Sequence, residues 1–285
     1  MPAQPEAFFL PASLGRPGQR FCIFHAAQGP EPKGCILYIH PFAEEMNKSR
    51  RMAALQSREL ARAGYAVLQI DLLGCGDSSG DFGDATWDDW LKDVAQGAQW
   101  LLSKVDAPLW LWGLRAGCLL AAQAADQLSR PCDFIFWAPS TAGKTLLQQF
   151  LRLKVAGDML AGNARNVTDS LRQKLACNER VEVAGYALSP GVAQGLESAN
   201  LAPPVVQHAS NGRRVEWFEL STREGAALSP ASAKTSISWT DAGFAVRSHV
   251  VNGPAFWQTS EIEEAPALVI ATVAGVGLAS TSVVA

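Results

Sequence analysis

The sequence has no excess of positive charge of the kind that marks a nucleic-acid-binding surface. Its formal net charge is −3 at pH 7, whereas a protein that binds nucleic acid through the phosphates needs a basic face. It also has neither the G-x-G-x-x-G pattern of a dinucleotide-binding protein nor a P-loop. We therefore expect no nucleic-acid partner, and we expect no metal and no organic cofactor.

Paired cysteine spacing is also missing. The six cysteines are scattered, with no C-x-x-C pair, at Cys22, Cys35, Cys75, Cys118, Cys132 and Cys177. Such a distribution indicates reduced, mostly buried thiols instead of a disulfide framework or a zinc site. The N-terminus has no basic segment followed by an apolar run, so no signal peptide is expected. Together these absences predict a cytoplasmic protein.

Long hydrophobic runs are missing except at the C-terminus. Residues 265–285 contain no charged side chain, and that length is sufficient to span a bilayer. The segment is rich in Ala, Gly, Ser and Thr and contains Pro266. This composition favours a buried final helix with a small-residue tail over a membrane anchor, so we expect no membrane association.

What the sequence does contain is a regular alternation of apolar runs and amphipathic stretches. Hydrophobic residues make up 48% of the chain and charged residues 18%, which is typical of a globular protein. An opening hairpin is predicted, followed by strands at 35–39, 66–70, 108–112 and 134–137 with helices between them. This rhythm predicts an α/β fold with a mostly parallel central sheet flanked by helices.

The rhythm is interrupted once and then resumes with strands at 215–220 and 246–251. An amphipathic helix and several Gly, Pro and Asn residues fill the interruption, which suits a helical lid over the carboxyl edge of the sheet. We therefore predict an N-terminal part of the core at 1–140, a lid insertion at 141–204 and a C-terminal part of the core at 205–285. Capping-box spacing predicts helices that begin at Thr86 and at Ser260.

The most informative motif is residues 113–117, GLRAG, between a predicted strand and a predicted helix. The pattern G-x-S-x-G in that position forms a nucleophile elbow, a sharp turn that exposes a serine hydroxyl. Here the central residue is Arg115. A guanidinium stays protonated at physiological pH and is not a nucleophile. The motif therefore predicts the fold of a hydrolase without its usual chemistry.

The order of elements, the glycine-rich turn at 71–78 (DLLGCGDS) and the elbow resemble the α/β-hydrolase superfamily. More narrowly, residues 40–50 (HPFAEEMNKSR), 111–115 (LWGLR) and 256–262 (FWQTSEI) are similar to the exosortase A system-associated hydrolase 2 family. The resemblance implies a hydrolase or esterase by lineage, with arginine usual at the elbow. It also implies partners among the components of an exosortase and exopolysaccharide system.

A serine-hydrolase triad requires, after the nucleophile, an acid that follows a late strand and then a histidine near the end. Glu224 occupies the loop where the acid is expected. No histidine occurs at 252–257, where the base is expected; His249 lies earlier, in a predicted strand, and His208 lies before the preceding strand. Cys118 is expected to be a buried thiol. The usual triad is therefore not predicted.

Two arrangements of Arg115 remain open. The first residues of the following helix, beginning at Ala116, have unpaired N–H groups that favour an anion, and Arg115 would add a planar donor. Alternatively, Glu44 or Glu45 forms an internal ion pair with Arg115. His40 begins the loop in which the superfamily places its oxyanion hole, and it orients that loop or joins the ligand site.

These observations support two functions. One is a non-catalytic or altered-mechanism binding or accessory protein, with a small anionic or acyl ligand near Arg115, Ala116, His40 and Glu44. The other is an active ester or thioester hydrolase that uses non-standard residues, such as water activated by His40 or Glu45.

Overall fold

The computed structural model of the protein describes residues 4–160, 167–205 and 212–278. Along the chain, the strands and α-helices of these residues are β1 (Glu6–Pro11), β2 (Gln19–His25), β3 (Gly34–Ile39), α1 (Glu44–Arg62), β4 (Tyr65–Ile70), α2 (Trp87–Lys104), β5 (Leu109–Leu114), α3 (Ala116–Ala124), β6 (Cys132–Trp137), α4 (Gly143–Leu160), α5 (Val167–Ala176), β7 (Val181–Val183), β8 (Tyr186–Leu188), α6 (Pro190–Ser198), β9 (Arg214–Ser221), α7 (Pro230–Asp241), β10 (Ala245–Asn252) and α8 (Pro266–Gly277).

Eight of these strands form one sheet in the order β1-β2-β4-β3-β5-β6-β9-β10. The first two strands form an antiparallel hairpin, and β2 also runs antiparallel to β4. Every other neighbouring pair is parallel. The predicted mostly parallel sheet flanked by helices is therefore confirmed.

The central strands are apolar because both faces of the sheet are covered. Every residue of β3, β5 and β6 is buried, as expected for parallel strands with helices on both sides. Helices α1 and α8 pack on one face, around a core that includes Trp112 and Trp137. Helices α2 and α3 pack on the other face, around a core that includes Trp90 and Phe134. The five buried cysteines all lie in this second core, and none forms a disulfide with another described residue.

One ion pair lies wholly inside the second core. The Arg20 and Asp93 side chains are fully buried, with Arg20 Nε 2.6 Å from Asp93 Oδ1. The second carboxylate oxygen accepts a hydrogen bond of 2.7 Å from the Leu73 backbone N–H. Burial raises the pKa of Asp93 to about 6, against the opposing effect of Arg20. The pair joins β2 to α2 and to the loop after β4.

One predicted helix start is confirmed and the other is wrong. At the start of α2, Thr86 Oγ1 accepts from the Asp89 N–H and the Asp89 carboxylate accepts from the Thr86 N–H, forming the capping box. The final helix begins at Pro266, not at Ser260. Proline has no N–H and a helical φ, so it fits the first turn of a helix but would break one that began six residues earlier.

Helix α8 has 12 residues, and the described part of the chain holds no helix with the length and apolar character of a membrane span.

Between β6 and β9 the chain leaves the sheet and forms α4, α5, the small β7–β8 hairpin and α6. The two ends of this excursion are joined by a bridge between Ala142 and Asn200 and by a hydrogen bond of 2.8 Å from the Gly143 N–H to the Ala199 carbonyl. Helix α6 packs against α2 and α4, and α4 also contacts α3. The excursion therefore lies beside the helix that follows the elbow.

Candidate functional site

The elbow motif forms a tight strand-to-helix turn. Strand β5 ends at Leu114 and α3 begins at Ala116, so Arg115 lies between them with φ 55° and ψ −112°. A Cβ at Gly113 would lie 2.5 Å from the Cys118 nitrogen, and one at Gly117 would lie 2.2 Å from the Ile39 carbonyl oxygen. Both positions therefore require glycine, as the elbow pattern does.

The Arg115 guanidinium is held by three side chains. Its Nε lies 3.3 Å from Glu45 Oε1, and its Nη2 donates to Gln149 Oε1 at 3.2 Å. Its Cζ lies 5.5 Å from the centroid of the Trp257 ring, within cation–π distance. Of the two arrangements that the sequence left open, the structure forms the internal ion pair, so Glu45 compensates the charge of Arg115. Ala116, the first residue of α3, is buried.

Glu44 and Glu45 occupy the first turn of α1, which follows Ala43 at φ 50°. Burial raises the pKa of Glu45 from 4.5 to about 6, although Arg115 lowers it. Burial also raises the pKa of Glu44, while its own backbone N–H and Lys48 lower it. In each carboxylate, Oε2 is buried and has no hydrogen-bond partner among the described residues.

His40 is buried at the end of β3, and both of its ring nitrogens are engaged. Nδ1 lies 2.8 Å from the Pro41 carbonyl, and Nε2 accepts from the Leu72 N–H at 3.2 Å. This pair of bonds corresponds to a neutral ring with the proton on Nδ1. Burial lowers the pKa of His40, which keeps the ring neutral. His40 thus ties the loop after β3 to the loop after β4, and it has no free nitrogen for a water molecule.

The remaining triad candidates do not meet Arg115. Cys118 is buried, its Sγ lies 3.7 Å from the Trp137 carbonyl, and burial raises the pKa of the thiol. Glu224 is exposed in the loop after β9. His249 lies within β10, where its Nε2 is 3.0 Å from Glu216 Oε2. His208 lies outside the described residues.

The loop after β10 contributes an indole beside Arg115. Trp257 lies in this loop and stands over Arg115. Nothing in the sequence indicated this contact, and Gln149 was not among the predicted site residues. Gln149 lies on α4, 34 positions beyond Arg115, and no local motif marks it. Only the amphipathic period of that helix could have indicated which of its residues face the elbow.

A pocket of about 230 Å³ lies between the first turn of α1 and α4. Its apolar wall includes Phe42, Leu146, Phe150 and Leu153, and its polar wall includes Glu44, Glu45, Lys48 and Gln149. Within the residues described, no three His, Cys, Asp or Glu side chains come together as metal ligands. The arrangement can bind a small molecule against carboxylates and apolar side chains, next to an arginine at the elbow.

The comparisons with known proteins agree with this fold. Est1E from Butyrivibrio proteoclasticus, solved with ferulic acid bound, is 18% identical, with 94% of this chain and 96% of that chain covered and a TM-score of 0.63. A thermostable carboxyl esterase from Bacillus coagulans, solved with glycerol, is 13% identical, with 88% and 91% covered and a TM-score of 0.58. A soluble variant of the monoglyceride lipase of Saccharomyces cerevisiae, solved with a substrate analogue, is 15% identical, with 89% and 91% covered and a TM-score of 0.57.

At these identities the structural matches establish the fold alone. A search of curated protein sequences finds no significant match. A family model is more specific, because residues 30–211, which include the elbow and the first turn of α1, match the serine aminopeptidase S33 hydrolases. Since that match spans more than half of the chain, the protein belongs to the serine aminopeptidase S33 family of the α/β-hydrolase superfamily.

Proposed function

We propose that this protein is a ligand-binding member of its hydrolase family that does not carry out acyl transfer through the elbow. The observation that carries the proposal is the guanidinium of Arg115 at the nucleophile position, held by Glu45, Gln149 and Trp257. Arginine cannot form the covalent acyl intermediate on which the family's usual mechanism depends.

The surroundings of Arg115 support the same proposal. A nucleophile needs a base within hydrogen-bond reach to accept its proton. The indole of Trp257 has an N–H donor but no basic nitrogen. Both nitrogens of His40 are already engaged, and the Cys118 thiol is buried. The described residues around the elbow therefore lack the nucleophile and base pair.

The ligand in this proposal is small and carries an acyl or other aliphatic portion. Phe42, Leu146 and Phe150 give the pocket an apolar wall that suits such a chain. A purely anionic ligand would have to displace Glu45 from Arg115, so the internal pair favours the aliphatic over the anionic alternative. The excursion at 141–204 acts in the proposal as a lid, because α4 supplies part of this wall.

The biological setting in this proposal is an exosortase and exopolysaccharide system, in which the protein is an accessory factor. This part rests on the resemblance of residues 40–50, 111–115 and 256–262. Those segments hold Glu45, Arg115 and Trp257, which meet in the site. Affinity purification of the tagged protein from its host, compared with the Arg115→Ala variant, tests it. Recovery of no exosortase or polysaccharide-assembly component with either protein would refute this setting.

One observation favours a second function, an ester or thioester hydrolase with water activated by Glu45. The Glu45 carboxylate has a pKa raised to about 6 and a buried oxygen without a partner, and it lines the pocket. A carboxylate with such a pKa can act as a general base near neutral pH. His40 is the weaker candidate in this role because of its two hydrogen bonds.

Turnover of short- and medium-chain nitrophenyl esters and of a thioester decides between these functions. We expect the purified protein and the Arg115→Ala, His40→Ala and Glu45→Gln variants all to release product at the rate of buffer. Glu224→Gln is the matched control, since Glu224 is an exposed glutamate. Turnover that Glu45→Gln abolishes and Glu224→Gln retains would replace the binding proposal with the hydrolase.

A further inference from the structure

A second pocket, of about 590 Å³, lies on the face of α1 that points away from the pocket beside the elbow. Along α1, Glu44, Glu45 and Lys48 line the first pocket, whereas Met46, Asn47 and Arg50 line the second. At 3.6 residues per turn, these two sets project from opposite faces of the helix. The volume is in the range of small-molecule sites, and the function proposed above makes no use of it.

One part of the second pocket is aromatic and apolar. Phe82 is buried at its base, and Phe21 of β2 and Tyr186 of β8 are half-buried around it. The Phe82 and Tyr186 ring centroids lie 5.1 Å apart in an edge-to-face arrangement, which holds both rings in place. The half-buried rings therefore offer a fixed surface on which the C–H groups of a ligand can pack.

The polar groups of this pocket are accessible and only partly used. Asn47 is exposed, and its Nδ2 donates to the Tyr186 hydroxyl at 3.4 Å. Among the described residues, neither the Asn47 amide oxygen nor the Tyr186 hydroxyl proton has a partner. The Arg50 side chain is 40% exposed. Asp77, which is also exposed, adds a carboxylate.

The glycine-rich turn holds the Arg50 guanidinium in place. Arg50 Nη2 donates to Asp71 Oδ2 at 2.9 Å, and the same oxygen accepts from the Asp77 N–H at 3.2 Å. A Cβ at Gly76, which has φ 55°, would overlap both Asp71 Oδ2 and Arg50 Nη2. Glycine at this position therefore lets the turn approach the ion pair. The remaining N–H groups of Arg50 are thus oriented before a ligand arrives.

We propose that this second pocket binds a neutral hexopyranose. The C–H face of the sugar ring packs on Tyr186 and Phe21. Its hydroxyl groups form hydrogen bonds with Asn47, Arg50 and Asp77. A hydroxyl group both donates and accepts, so several hydroxyls on one ring match a set that mixes guanidinium donors with amide and carboxylate acceptors.

The charges and the polar groups disfavour two related ligand classes. Arg50 is already compensated by Asp71, and Asp77 adds a further negative charge, so a sugar acid should bind more weakly than the neutral sugar. An apolar ring of the same size would take the polar groups out of water without replacing their hydrogen bonds. It should also bind more weakly.

A ligand-observed NMR titration of the whole chain tests this proposal. The probes are the methyl glycosides of glucose, galactose and mannose, together with methyl glucuronide and cyclohexanol. The glucuronide carries a carboxylate, and cyclohexanol keeps the ring with a single hydroxyl. We expect at least one neutral glycoside to bind, and to bind more tightly than methyl glucuronide and cyclohexanol.

Two variants locate the sugar in this pocket. Asn47→Ala and Tyr186→Phe each remove one hydrogen-bonding group, and loss of one such bond should weaken binding by about threefold to tenfold. Asn252→Ala is the matched control, because Asn252 is an exposed asparagine on β10, at the far edge of the sheet from β2. Its affinity should equal that of the wild type. Circular dichroism checks that each variant is folded.

The proposal is overturned if none of the three neutral glycosides binds. It is also overturned if methyl glucuronide or cyclohexanol binds as tightly as the best of them. Unchanged affinity in both Asn47→Ala and Tyr186→Phe would place the sugar elsewhere and refute the site. None of these outcomes involves Arg115, so the function proposed for the elbow is tested separately by the ester and thioester assays.

Discussion

Replacing Glu45 with glutamine tests whether this carboxylate is buried as the structure shows. Its pKa is 4.5 in an ordinary environment and about 6 in the folded protein. The folded state thus keeps the proton to a higher pH than the unfolded chain does. The stability that protonated Glu45 contributes is fully present below pH 4.5 and is lost as the pH rises through 6. Glutamine cannot titrate, so the variant does not share this loss.

The magnitude follows from the two pKa values. The wild-type protein loses about 2 kcal/mol through Glu45 between acid and neutral pH, of which roughly 1.2 kcal/mol falls between about pH 5 and 7.5. The side chain is about one-tenth exposed, so solvent screening removes little of this. Arg115 remains charged throughout the interval. In the variant, the cost of leaving Arg115 without a carboxylate partner is therefore the same at pH 5 and at pH 7.5. It does not contribute to the pH dependence of the difference between variant and wild type.

The assay is urea unfolding followed by tryptophan fluorescence, for wild type and Glu45→Gln at both ends of the interval. We expect the stability of the variant relative to wild type to rise by about 1.2 kcal/mol from pH 5 to 7.5. The Glu224→Gln variant, at an exposed glutamate, serves as the control. If the free energy of unfolding of Glu45→Gln minus that of wild type stays constant or falls as the pH rises, Glu45 is hydrated or held by a stronger cation. The reasoning would then fail.

Three other perturbations have expected outcomes. Gly117→Ala brings a methyl group against a backbone carbonyl of β3 and should cost about 3 kcal/mol of stability, which lowers the melting temperature. The control Gly277→Ala has no atom within 4 Å of its added methyl group, so its melting temperature should stay at the wild-type value. Asp93→Ala leaves Arg20 buried and unpaired and should lower the free energy of unfolding in urea by about 3–5 kcal/mol. If a double variant with apolar residues at both positions is no more stable than Asp93→Ala, the unpaired charge is not the cause of the loss. Arg115→Ser should give no nitrophenyl ester turnover, since the loop after β10 provides no histidine; a burst of product would refute this account of the site.

The sheet could be predicted because its signals are local. Continuous apolar runs marked β3, β5 and β6, and a capping box marked the start of α2. The boundary of α8 was missed because the second capping-box spacing competed with Pro266, and proline determined where the helix began. The contact that α4 makes with Arg115 through Gln149 has no such local signature.

The site could be predicted only in part. The elbow and the acidic candidates Glu44 and Glu45 follow from the sequence. Whether Arg115 stays open to an anion or pairs with one of these glutamates depends on packing. Glu45 and Arg115 are 70 positions apart, and they meet only because β3 and β5 are neighbours in the sheet. The contribution of Gln149 depends on how α4 returns to the sheet. The role of Trp257 depends on a loop without regular structure.

Three residues at neighbouring strand ends share an unusual backbone. Ala43 after β3, Arg115 after β5 and Ala138 after β6 all have positive φ without being glycine, a conformation that costs of order 1 kcal/mol or more and persists only where the surroundings impose it. The side chain at such a position therefore has little influence on the path of the chain. The elbow backbone is thus fixed by its surroundings, so a substitution at 115 should change which side chain meets Glu45, Gln149 and Trp257 without changing the path of the chain.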